Sequence, residues 1–235
     1  MFPLTHLYVN QIILGSMNPA RAIGSVLPDL LVYNGIDWED AHSIKKKFML
    51  PRDVFLADAL HGVALPGLDY YTDKSYRNGN GFAFYKAGHI KEDLSSLGVP
   101  ERDCLWRGHN VIEMAVEVNI KRFTRMTFEP MRHAIEQTDL LHTLEQSLSD
   151  SIGHDIDLTT PLSLFVSLDG DQNILSKHYS QKLNAFYETE ISGPIVSRLI
   201  DKAQTHIEKD YTDFLEYCVT RMEKDLRVLE RGISC

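Results

Sequence analysis

Hydrophobic residues recur at intervals of three and four along most of this chain and nowhere alternate strictly, which predicts helices and no sheet. Pro3 opens a first helix that runs to about Gly15. "NPARAIGSVLPDLLVYNG" (18–35) predicts a short helix broken near Pro28. "DWEDAHSIKKKFML" (37–50) starts acidic and ends in lysines, the polarity a helix dipole favours. Pro51 leads the next helical pattern, "PRDVFLADALHGVAL" (51–65), as proline does in a first turn. From Pro66 to Pro100 the pattern is irregular, with "RNGNG" (77–81) as its clearest loop signal. A long irregular segment of this kind is more often a functional cover than filler. A helix then runs from Pro100–Glu101 to about Phe123. Others follow near 129–152 and 172–190, separated by a loop holding "TTP" and "LDGDQN". Ser192 to Gly232 reads as one long helix with the stripe Val196, Leu199, Ala203, Ile207, Phe214, Cys218 and Met222. The expected fold is all-α: a single multi-helix domain over 1–235 with a long C-terminal helix. Candidate chemistry falls in 1–125, and 126–235 forms a helical extension.

Composition narrows the function classes. The chain has 235 residues, 43% of them hydrophobic and 24% charged, as in ordinary globular proteins. A formal net charge of −9 argues against a nucleic-acid scaffold binder or an anionic-membrane binder, since both need clustered cations. The one dense basic run is Lys45–Lys46–Lys47, which reads as a solvated helix face. Three widely spaced cysteines (Cys104, Cys218, Cys235) make neither a disulfide framework nor a CxxC site, so a cytoplasmic protein is expected. The N-terminus lacks a basic start and is a poor signal peptide. No stretch reaches the roughly 18 apolar residues of a membrane span. The C-terminal stripe fits packing on its own domain, or the interface of a homodimer.

Candidate chemistry begins in "RGHNVIEMAVEVNI" (107–120). At about 100° per residue, His109 and Glu113 fall within the bulky stripe of Ile112, Val116 and Ile120, while Glu117 lies near its edge beside Asn110. Burying an unpaired carboxylate costs several kcal/mol, so Glu113 requires a partner. Either His109 and Glu113 share a cation, or they form an i,i+4 hydrogen-bonded pair. This helix alone leaves both open. A lone histidine on an apolar face is usually a core residue, but here the case repeats. His61 shares a face with Val54, Ala57 and Leu65, and His6 lies among Leu4, Leu7 and Tyr8. Asp29 follows Pro28 among aliphatic residues, and "LDYYTD" sets Asp69 and Asp73 four apart. Nitrogen and carboxylate ligands together suit zinc, manganese or iron. Other signals are weaker. His133 and Glu136 read as an exposed helix face, His154–Asp155 as a turn, and no serine sits in a nucleophile elbow.

The segments "THLYVNQIILG", "GSVLPDL", "ALHG" and "GHNVIEMAVE", in that order over about residues 1–120, resemble the zinc-dependent phospholipase C / S1–P1 nuclease group. The resemblance implies metal ligation by His6, Asp29, His61, His109 and Glu113. A weaker likeness, carried by His61 followed by "LDYYTD", is to the acyl-carrier-protein phosphodiesterases. The chain lacks that first group's N-terminal tryptophan ligand and its second histidine-rich helix pair, so one or two ions are expected, not three. The resulting expectation is a hydrolase of a phosphoester, chiefly a phosphodiester, of small-molecule or lipid-like type, with zinc first and manganese or iron as alternatives. Asp69 or Asp73 would be a further ligand or the base that orients water. Asp58 and Glu117 would accept the second N–H of ligating imidazoles, and Lys74 and Arg77 would face substrate phosphate. The alternative is a non-catalytic helical protein with a structural metal or buried polar cluster, acting through its C-terminal helices.

Overall fold

Helix boundaries in this chain are set largely by proline and by side-chain caps. The computed structural model describes residues 2–43, 50–63, 65–77 and 79–233. Among them every regular element is helical and no strand forms. Helix α1 (Pro3–Leu14) begins at its proline. In α2 (Pro19–Gly24), Asn18 caps the start by accepting from Arg21 N; α3 (Leu27–Tyr33) carries Pro28 in its first turn. Then come α4 (Trp38–Ala41) and α5 (Arg52–Ala59), a π-helical turn (Tyr70–Lys74), α6 (Phe82–Ala87) and α7 (Lys91–Ser96). The expected 101–123 helix is α8 (Glu101–Phe123). The remainder are α9 (Glu129–Glu136), α10 (Thr138–Ile152), α11 (Thr159–Leu168), α12 (Gln172–Tyr187), α13 (Gly193–Ile207) and α14 (Tyr211–Ile233).

Several boundaries differ from the periodic reading. The 129–152 stretch is two helices meeting at Gln137, whose ψ of 66° is not helical. The C-terminal run is also two, α13 and α14, separated at 208–210, although every residue of the expected stripe is buried. The "TTP" loop is the start of α11, and the irregular 66–100 segment holds α6, α7 and the π-helical turn. His61 was expected on a helix, but α5 ends at Ala59 and His61 lies in the following turn. Lys45–Lys47, most of the helix expected around them and Cys235 lie outside the described residues, while Cys104 and Cys218 are buried free thiols. No helix among the described residues is long and apolar enough to cross a membrane.

The helices gather into two compact units whose segments interleave along the chain. The first unit comprises His6–Tyr70, Thr127–Ser167 and Tyr217–Cys235. In it α2 packs on α5 and α9. A Cβ on Gly24 would stand 2.3 Å from the Val54 carbonyl oxygen, so that close approach requires glycine. Buried Asn10 ties three elements together, donating to Ser25 Oγ at 2.7 Å and to the Ala57 carbonyl at 3.0 Å. The second unit comprises Met1–Thr5, Tyr71–Met126 and Leu168–Glu216. Its axis is α8, against which α6, α7, α12 and α13 pack. This coverage explains why α8 is buried on nearly all sides from Gly108 to Ile120, as a helix surrounded by partners must be.

Candidate metal centre

In the first unit five side chains gather, delivered by three helices and the turn after α5. His6 comes from the first turns of α1, Asp29 from the first turn of α3 and His42 from the end of α4. His61 and Asp69 come from the two ends of the turn after α5. That turn is tight: Leu68 N donates to Leu60 O and Asp69 N to His61 O. A Cβ on Gly67 would stand 2.7 Å from the backbone of residues 60–62, so only glycine closes it. The three imidazole side chains have no solvent exposure, Asp69 has 4%, and Asp29, at 28%, forms the open edge.

The hydrogen bonds decide how the imidazoles present themselves. His61 Nδ1 lies 2.7 Å from the Ser25 carbonyl and His42 Nδ1 lies 2.9 Å from the Trp38 carbonyl. A carbonyl can only accept, so Nδ1 carries the proton in both, and Nε2 presents a lone pair in the neutral rings. Both Nε2 atoms stand 3.2 Å from Asp69 Oδ2 and 3.8 Å from Asp29, and His6 Nε2 stands 3.3 Å from Asp69 Oδ1. None of these Nε2 atoms makes a hydrogen bond, nor does His6 Nδ1. His6 and His61 stack at 3.6 Å with their planes 1° apart, and Trp38 stacks on His42 at 4.3 Å.

Charge follows from this crowding. Burial, then the neighbouring His61, holds His6 well below the usual imidazole range. Burial also opposes protonation of His61, but Asp69 and Asp29 outweigh it and raise its pKa. For Asp69 burial disfavours the anion, but the electrostatic pull of its surroundings outweighs that and holds the carboxyl well below its usual range. Lone pairs of nitrogen and carboxylate facing one another at 3.2 Å repel unless a proton or a cation lies between them. Two overlapping triads, His6–Asp29–His61 and His42–His61–Asp69, each bring nitrogen and carboxylate ligand atoms within 4.8 Å of one another, a donor chemistry that fits a divalent transition cation.

The second unit holds a smaller set. Asp73 belongs to the π-helical turn, a geometry frequent at functional sites, and His109 and Glu113 belong to α8. His109 Nε2 lies 3.9 Å from both Asp73 Oδ1 and Glu113 Oε2, too far for the expected i,i+4 hydrogen bond. His109 Nδ1 donates to the Trp106 carbonyl, again leaving Nε2 directed at the carboxylates. Phe84 lies parallel to the His109 ring at 4.6 Å. The ligand atoms of all three residues fall within 4.8 Å of one another.

The structure therefore regroups the residues read from the sequence. His6, Asp29 and His61 stand together, joined by Asp69. His109 and Glu113 belong to the other unit and stand with Asp73. His42 was missed. Its surroundings in the sequence, acidic before and basic after, suggested a solvated helix, yet it is 1% exposed. A usable signal was present: each of the two tryptophans precedes a site histidine by three or four residues, sets its ring against it and lends it a carbonyl.

The partners expected for the imidazole N–H groups are also different, because backbone carbonyls of Ser25, Trp38 and Trp106 fill that role. Asp58 does not take the His61 proton; burial pushes it up to about 7 against the pull of His61. Glu117 is not at the edge of its helix but 1% exposed, and caps α1 from outside that helix. It accepts from Leu4 N at 2.8 Å, Thr5 N at 2.8 Å and Thr5 Oγ1 at 2.7 Å. Lys74 and Arg77 are exposed, and the Arg77 guanidinium lies 5.1 Å from the Tyr76 ring centroid. His133 and His154 are exposed, as expected. No family model, curated protein or solved structure matches the chain.

Proposed function

We propose that this chain is a metal-dependent hydrolase that cleaves a phosphoester, and a phosphodiester in particular. The observation that carries the reading is the set of buried, hydrogen-bond-free Nε2 atoms aimed at Asp69 in the first unit. His6, Asp29, His42, His61 and Asp69 would hold one cation, and Asp73, His109 and Glu113 a second. Zinc suits the nitrogen-rich set best, with manganese or iron as alternatives. A divalent cation so held would supply Lewis acidity toward a bound water and a phosphoryl oxygen.

The chain's own residues supply the rest. Carbonyl-tethered Nδ1 atoms fix the tautomer and aim of His42, His61 and His109, which removes the ordering cost of assembling ligands. Asp69 is enclosed by imidazoles, which supports a ligand role rather than that of base. Asp29, with 28% of its side chain exposed, is the member that meets solvent and is our assignment for accepting the water's proton.

One observation favours a structural cluster instead: the three imidazoles of the first unit have no exposed surface. Elemental analysis of the purified protein, followed by assay on bis(4-nitrophenyl) phosphate with added Zn²⁺, Mn²⁺ or Fe²⁺, separates the readings. The hydrolase reading expects bound transition metal and metal-dependent turnover. Bound metal without turnover supports the structural cluster, and a metal-free protein indifferent to chelators removes both metal roles.

A further inference from the structure

The second unit leaves bulky apolar side chains in solvent beside its candidate ligands. Trp106 is 44% exposed, Leu105 41% and Tyr85 63%, and Phe84 is partly buried. Leu105, His109 and Glu113 follow one another at four-residue spacing along α8, so one helix face runs from apolar surface to candidate ligands. The rings are in contact with the site itself. Phe84 lies parallel to His109 at 4.6 Å, Trp106 meets the same imidazole at 4.6 Å and 51°, and Phe84 and Trp106 stand 5.7 Å apart. Scattered exposed hydrophobics need no explanation, but aromatic rings clustered on a buried polar set are the ordinary lining of a small-molecule site.

Three cations of α6, α7 and α8 near this face are committed elsewhere. Lys86 pairs with Asp210 and donates to the His206 carbonyl, and Lys91 pairs with Glu101 at 2.9 Å. Arg107 donates to Tyr187 Oη at 2.7 Å and lies 4.5 Å from the Phe186 ring centroid. A site for a phosphomonoester dianion or a polyphosphate would present an uncommitted guanidinium or ammonium. Here two carboxylates and one divalent cation would sum to no net charge, so a singly charged ligand is the best match.

Resting on the phosphodiesterase reading, we infer that Phe84 and Trp106 form a specificity wall for the apolar substituent of a monoanionic phosphodiester. The wall binds the alcohol portion while the phosphate faces Asp73, His109 and Glu113.

Calorimetric titration of the metal-loaded protein with diphenyl phosphate and dimethyl phosphate tests this without turnover. The two probes share one charge and differ only in apolar surface. Diphenyl phosphate should bind at least tenfold more tightly, ~1.4 kcal/mol. In Trp106→Leu and Phe84→Leu that preference should shrink to about threefold or less, the loss expected from ring stacking. Dimethyl phosphate affinity and the melting temperature should stay at wild-type values. Equal affinity of the two probes for the wild type, or an undiminished preference in both variants, overturns the wall. A Trp106-dependent preference in a protein that hydrolyses no phosphodiester upholds the wall and overturns the hydrolase reading. Hydrolysis without preference does the reverse.

Discussion

Replacing Glu117 by glutamine tests how the buried first turn of α1 is held. The wild-type carboxylate accepts three hydrogen bonds of 2.7–2.8 Å from Leu4 and Thr5 while 1% exposed. Burial raises its pKa from 4.5 to about 7, against the pull of those three donors. The sign follows from proton counts. Between these two values the folded chain holds a proton that the unfolded chain has lost, so this group's contribution is full below 4.5 and falls as pH rises through about 7. At ~1.4 kcal/mol per pH unit the contribution lost is about 3 kcal/mol.

Glutamine is isosteric but has one acceptor oxygen and no titration. At pH 5 it leaves buried donors poorly paired and should cost about 1–3 kcal/mol. That deficit should shrink or reverse by pH 8, where the wild type carries the buried charge. The assay is urea unfolding of both proteins from pH 4.5 to 8, because their difference isolates Glu117 from other titrating groups. If wild-type stability rises with pH relative to Glu117→Gln, the donors outweigh burial, Glu117 is ionised throughout, and the reasoning fails.

Other expectations are direct. His42→Ala should lower transition-metal content, with an affinity loss of at least about tenfold, while circular dichroism stays helical; unchanged metal content would remove His42 from the first set. Co²⁺ should quench the fluorescence of both tryptophans, because Trp38 stacks on His42 and Trp106 meets His109. Variants Trp38→Phe and Trp106→Phe then report one set each, and a quench confined to one variant would show that only one set takes metal. Gly24→Ala should destabilise the protein by about 1–3 kcal/mol, since its Cβ would meet the Val54 carbonyl at 2.3 Å. A melting temperature within 1–2 °C of wild type, against the ~2–4 °C expected per kcal/mol, would show that α2 and α5 can move apart.

Periodicity made α8 legible to within a residue at each end, because proline and acidic residues open it and thirteen of its residues are buried. It could not find the breaks at Gln137 or at 208–210, because the apolar phase resumes almost unaltered beyond each. His6, Asp29 and His61 were legible because each is a polar residue within an apolar pattern. His42 broke no pattern, since its partners come from α3 and from the turn after α5. Glu117 was misjudged because helical angles measure position against a helix's own stripe. They say nothing about a foreign N-terminus that covers the edge.

The interleaving of the two units has a consequence for vectorial synthesis. All five side chains of the first set leave the ribosome early, between residues 6 and 69. The segment beginning at Tyr217, which completes that unit, emerges last. During translation these imidazoles and carboxylates are therefore made well before the last segment of their own unit. A cation taken up by that set would meet its ligands before the unit around them is complete.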